Sequence, residues 1–192
     1  MSMGGRGPVL RMRAMGWKTV FEKWRAARGR RWVRWAVDLA IVLLVFASVT
    51  AWQTRRLLSG GEPAPAFELT DLHGKTWRLA DLRGRKVVIE FWAPWCGVCR
   101  AQSGAISHLR EAVGDEVEVL SVALSWQDRA EIDRFVQAAR AEYPVLLGDD
   151  RIQRDYRITS FPTIYFLDED GAVMHTVVGY TPGFGLRWRT WF

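Results

Sequence analysis

Cys96 and Cys99 are the only cysteines in the 192-residue chain, and they stand three apart. Two thiols cannot form a four-thiolate zinc site, and His73, His108 and His175 are too scattered to complete one. A purely structural disulfide between them would close so small a loop that it would constrain the unfolded chain little. The spacing therefore points to redox exchange at sulfur, with no metal and no cofactor implied.

Such a pair works only where one sulfur is held as a thiolate. The run Val87-Val88-Ile89-Glu90-Phe91-Trp92 before it reads as a strand buried on both faces. Ile106, Leu109 and Val113 recur after it at helical spacing, so the cysteines open a helix. Unpaired N–H groups and the helix dipole favour negative charge there. Cys96 is then the nucleophile, and Cys99, one turn inside, the resolving thiol.

Further elements follow in alternation. Phe67–Leu72 and Thr76–Arg78 flank His73-Gly74-Lys75 as a small hairpin. Val117–Leu124 reads as a strand, Asp128–Ala141 as a helix capped by Asp128, and Val145–Leu147 as a short strand after Pro144. Ile152–Tyr156 suggests one or two helical turns. Thr163–Leu167 and Val173–Val178 form an apolar hairpin across Asp168-Glu169-Asp170-Gly171, and the segment from Phe184 to Phe192 looks helical. This order predicts an α/β sandwich with a central mixed β-sheet.

Charge divides the chain. Residues 1–34 hold ten basic side chains against Glu22 alone, a balance of +9 within a total of +6, so residues 35–192 carry −3. A mildly acidic body with its cations in one tail argues against nucleic acid as a partner. Ala36–Ala51 is apolar except for Asp38, with Trp32 and Trp35 before it and Trp52 after. That pattern predicts one transmembrane helix. By the positive-inside rule the N-terminus is cytoplasmic and the remainder exported. The expected divisions are a basic cytoplasmic tail at 1–34, an uncleaved anchor at 35–53, a Gly- and Pro-containing linker at 54–65, and a folded domain at 66–192. Trp17, Val20, Phe21 and Trp24 have the spacing of an amphipathic segment able to lie on the anionic inner leaflet, and read equally as part of a disordered basic tail.

The stretch Glu90 to Cys99 resembles the thioredoxin active site, and Phe161-Pro162-Thr163 resembles the loop that carries that family's cis-proline. Tyr143–Leu147, Asp149–Ile158 and Phe161–Gly171 are similar to the extended membrane-tethered branch of TlpA, ResA and DsbE type. Val178–Thr181 with Gly185–Arg187 is most like the suppressor-of-copper-sensitivity D type. The resemblance covers about Pro63 to Phe192 and implies a thioredoxin-like domain there. It implies that Cys96 attacks a partner disulfide and Cys99 resolves the adduct, that Trp95 walls a peptide groove, and that a cis Pro162 leaves the Phe161 backbone to pair with a bound peptide. Glu90 takes the place of thioredoxin's buried aspartate and would exchange a proton with Cys99 if it points inward. Val98 replaces thioredoxin's proline between the cysteines, and the strand at 117–124 has no lysine to pair with the buried acid.

The implied protein is a periplasmic, inner-membrane-anchored protein-disulfide oxidoreductase. Its partners would be exported proteins with disulfides and a transmembrane thiol reductant. A disulfide-forming oxidant and a Cu(I)-handling binding protein stand as alternatives, since soft thiolates suit Cu(I). A peroxiredoxin lacks support because Ala93 stands where a Thr-x-x-Cys motif needs threonine.

Overall fold

A computed structural model describes residues 32–49 and 57–191. The amphipathic segment at 17–24 and most of the basic tail lie outside the described residues. Trp32–Val49 is one helix, α1, long and apolar enough to cross a membrane. Eighteen residues at 1.5 Å each span about 27 Å, close to the hydrocarbon thickness of a bilayer.

The folded unit is built on five strands: β3 (Lys86–Trp92), β4 (Val117–Ala123), β5 (Val145–Leu147), β6 (Thr163–Leu167) and β7 (Val173–Val178). They form a mixed sheet in the order β5-β4-β3-β6-β7. β3 pairs parallel with β4 and antiparallel with β6, so it is central and every backbone group it carries can be paired within the sheet. The preceding β1 (Glu68–Thr70) and β2 (Thr76–Arg78) make the expected hairpin as a separate two-stranded sheet.

Both faces of the sheet are covered, as the unbroken apolar run of β3 requires. On one side Val87, Ile89 and Phe91 pack with Phe67, Leu79, Leu82, Ile152 and Tyr156. On the other, Val88 and Trp92 pack with Ile106 and Leu109 of α2 (Gly97–Val113), Ile132 and Phe135 of α3 (Arg129–Ala139), and Leu186 of α5 (Gly183–Trp191). α3 starts where expected, with the Asp128 carboxylate accepting from the Glu131 N–H at 3.0 Å. It ends two residues earlier than its composition suggests, because Arg140 turns left-handed at φ 50° and Ala141 N–H bonds back to Val136. The short α4 (Asp150–Asp155) is capped by Asp149.

Residues 57–65, whose glycines and prolines suggest a linker, are docked on the domain. Leu57 and Leu58 are buried, Gly61 N–H bonds to Val173 O at 2.8 Å, and Val173 N–H bonds to Glu62 O at 2.9 Å. The segment shields the outer edge of β7, which would otherwise present open backbone groups.

Two glycines test this packing in opposite directions. A Cβ on Gly148 would meet Val122 Cγ1 at 2.6 Å and Leu124 Cδ2 at 2.7 Å, inside the close-packed layer. A Cβ on Gly104, on the exposed face of α2, meets nothing. In denaturant titrations Gly148→Ala is expected to lose about 1–3 kcal/mol, and Gly104→Ala to gain about 0.5–1 kcal/mol.

Candidate active site

β3 ends at Trp92, and four residues later Cys96 is the N-cap of α2, with extended dihedrals of φ −81° and ψ 106°. Its Sγ accepts the backbone N–H of Cys99 at 3.1 Å, filling the place an N-cap oxygen usually takes. The helix that opens here runs 17 residues, so the sulfur lies on its positive end. Cys96 and Cys99 are joined as a disulfide with their Cα atoms 5.3 Å apart. Cys99 is the more enclosed, at 1 % exposure against 6 % for Cys96. Of the two sulfur-bearing residues, Cys96 is thus the one open to an approaching molecule.

Trp95 stands exposed beside the pair and meets Phe161 edge to face, ring centroids 5.6 Å apart. The Phe161–Pro162 peptide is cis. Pro162 O accepts the N–H of Gly179 at 2.8 Å, which fastens this loop to the end of β7. Two residues on, Thr181 is gripped by Gln102 of α2: Gln102 Nε2 donates to Thr181 O at 2.9 Å, and Thr181 N–H donates to Gln102 Oε1 at 2.6 Å. Both residues are buried. The redox helix and the proline loop are thus held in register by a relay of three hydrogen bonds.

Glu90 points inward, at 1 % exposure, on the same face of β3 as Val88 and Trp92 and hence beneath α2. Burial pushes its carboxyl up to about 8, because no cation accompanies it into the core. Glu90 Oε1 has no hydrogen-bond partner. Its neighbour across the strands, Ser121, accepts from the Trp92 indole N–H. Cys96, Cys99, Trp95, Phe161 and Pro162 therefore gather at one end of the sheet, with Glu90 under them. Gln102, Ser103, Tyr143 and Thr181 join this neighbourhood without having been singled out from the sequence. Gln102 and Ser103 had a readable signal, lying three and four residues after Cys99 on the inward helix face. Tyr143 had none. Among the described residues no three His, Cys, Asp or Glu side chains are grouped to hold a metal.

Residues 60–176 match the model of the AhpC/TSA family. The chain is 30 % identical over 155 residues to thioredoxin-like protein YneN of Bacillus subtilis, covering 76 % of this chain and 90 % of that protein. It is 26 % identical over 154 residues to the thiol-disulfide oxidoreductase ResA of Geobacillus kaustophilus, covering 76 % and 88 %. A secreted Mycobacterium tuberculosis disulfide oxidoreductase homologous to E. coli DsbE superposes with a TM-score of 0.58 at 26 % identity, covering 65 % of this chain and 93 % of that one.

The buried carboxyl has a measurable consequence. An ordinary glutamate ionises near pH 4.5, whereas Glu90 holds its proton to about 8. Between those values the folded chain keeps a proton the unfolded chain has released, so stability falls as pH rises through the window. Denaturant unfolding of the disulfide form should show wild type losing on the order of 4 kcal/mol from pH 4.5 to 8 relative to Glu90→Gln. Parallel pH curves for the two proteins would show that Glu90 does not carry the effect.

Proposed function

We propose that this chain, which belongs to the AhpC/TSA family and is a thiol-disulfide oxidoreductase of thioredoxin fold, serves as a membrane-anchored periplasmic reductant of disulfides in exported proteins. The observation that carries the chemistry is the seat of Cys96 Sγ on the Cys99 N–H at the open end of α2. Support for the anchor comes from α1, and for its orientation from the +9 balance of residues 1–34.

In the dithiol form Cys96 is the thiolate, stabilised by the first-turn N–H groups. It attacks one sulfur of a substrate disulfide, and the other substrate sulfur leaves as a thiolate. Trp95 and Phe161 flank the incoming chain, and the Phe161 backbone at the cis Pro162 pairs with it. Cys99 then passes its proton to the Glu90 carboxylate and attacks Cys96 Sγ, releasing the second substrate thiolate. The substrate has gained two electrons, and the enzyme holds the Cys96–Cys99 disulfide with a protonated Glu90. That is the state described here, in which burial keeps Glu90 protonated up to about 8. A transmembrane thiol donor reverses the sequence: its thiolate attacks Cys96, Cys99 leaves and recovers the proton, and a second donor thiolate frees Cys96.

Cys96→Ser is expected to abolish insulin-disulfide reduction, whereas Cys99→Ser accumulates mixed disulfides resolvable on non-reducing gels. The reduction potential of the pair decides direction: about −270 mV fits a reductant, and about −120 mV identifies an oxidant instead. A C-terminal alkaline phosphatase fusion should be active in cells, and an inactive fusion of normal abundance overturns the exported topology.

A further inference from the structure

The proposed proton transfer leaves a difficulty in the dithiol form, where Glu90 is an anion inside the core. An ionised carboxylate is costly there unless a donor reaches it. Thioredoxin's lysine has no counterpart on β4, as the sequence already shows. The elements packed around Glu90 offer few substitutes. β6 sets Ile164 beside it and β4 sets Ser121, whose oxygen accepts from Trp92. α3 contributes Ile132 and Phe135, and α5 contributes Leu186. From α2 come the cysteines and Ser103, whose hydroxyl donates to Arg100 O at 3.1 Å. The nearest ion cluster, Glu118 with Arg85 and Arg110, is at the opposite end of β3.

One group remains. Tyr143 lies in the turn between α3 and β5, and that turn is fixed against the row of Glu90: Ser121, paired with Glu90 on one side and Val145 on the other, donates its N–H to Pro144 O at 3.0 Å. Tyr143 is two residues before Val145, so its ring enters the same layer. Its hydroxyl is buried, interacts with the Ser103 side chain without completing a well-formed hydrogen bond, and lies within the field of Glu90. Two buried oxygens without a well-formed hydrogen bond, Glu90 Oε1 and Tyr143 Oη, thus belong to the one layer beneath α2 and sense each other electrostatically, where unpaired polar atoms are rare.

We propose that Tyr143 is a positioning residue for the redox reaction, its neutral O–H turning to donate to Glu90 when Cys99 becomes a thiol and Glu90 an anion. This rests on Glu90 acting as the proton partner of Cys99. The two vacancies seen in the disulfide form are then the resting state of a hydrogen bond made only in the dithiol form. Burial and the adjacent Glu90 charge both push the Tyr143 hydroxyl up, so it stays protonated and serves as a donor throughout. The proton itself moves only between Cys99 Sγ and Glu90.

The test uses the full chain in nanodiscs with 13C-labelled glutamate, following the Glu90 carboxyl by NMR in both redox forms. Tyr143→Phe removes one oxygen and keeps the ring. It should raise the Glu90 midpoint of the dithiol form by about one pH unit, with a smaller change in the disulfide form. At pH 7 the Cys99 resolving step should slow severalfold, recovering as pH passes the new midpoint. In a Glu90→Gln background the same substitution should cost nothing further. An unmoved dithiol midpoint overturns the proposal, as does a loss of rate that persists with Gln at 90. Should Glu90→Gln leave resolution untouched while Tyr143→Phe still shifts the midpoint, the pairing stands and the proton role of Glu90 is what fails.

Discussion

A single hydrogen bond, from the Cys99 N–H to Cys96 Sγ, sets the terms for the rest of the domain. It exists because Cys96 occupies an N-cap, and Cys96 is there because β3 stops at Trp92 and the chain turns directly into α2. A strand able to deliver a residue that accurately must itself be immobile. β3 achieves this as the central strand, paired on both edges and packed on both faces. The opposite wall of the site is held with comparable strictness. Gln102, one turn beyond Cys99, secures Thr181, and the same loop secures Pro162 through Gly179. The two walls flanking the cysteine pair are therefore referenced to one helix rather than to each other.

The same strand carries a cost. Glu90 places a carboxyl in a layer otherwise filled by Val88, Trp92, Ile164 and Val145. In the disulfide form the core tolerates it at neutral pH by keeping it protonated, and a leucine there would pack without an orphaned oxygen. A destabilising group directly under a reactive pair is the signature of a site shaped for chemistry rather than for stability.

Much of this was legible in the sequence where the signal was local. β3 announced itself by an unbroken apolar run, α2 by Ile106, Leu109 and Val113, and the β6–β7 turn by acids ending in Gly171, which adopts φ +69°. What escaped depended on partners distant in sequence. Glycine and proline mark 57–65 as irregular, but only Leu57 and Leu58 meeting the edge of β7 make it part of the domain. The inward aim of Glu90 was equally hidden, because a strand apolar on both faces gives alternation no polar side to point to. Tyr143 lies more than fifty residues from Glu90, and only the β3-β4-β5 register brings them into one layer.

Two features of the site pull on the redox balance in opposite directions. Thioredoxin has proline where this chain has Val98, and proline lacks an N–H. Val98 restores that donor at the end of α2, with its side chain turned to solvent. An added donor stabilises the Cys96 thiolate, and with it the dithiol form, which makes the pair a weaker reductant. An ionised Glu90 would act the other way, since a buried anion behind Cys99 would penalise the dithiol form, where the proposed proton transfer puts the carboxylate. The stronger the donor supplied to that carboxylate, the smaller the penalty. On this proposal the motif alone does not fix the potential of the pair, because the second determinant sits on β3 and in the turn before β5, outside the four residues that define the motif.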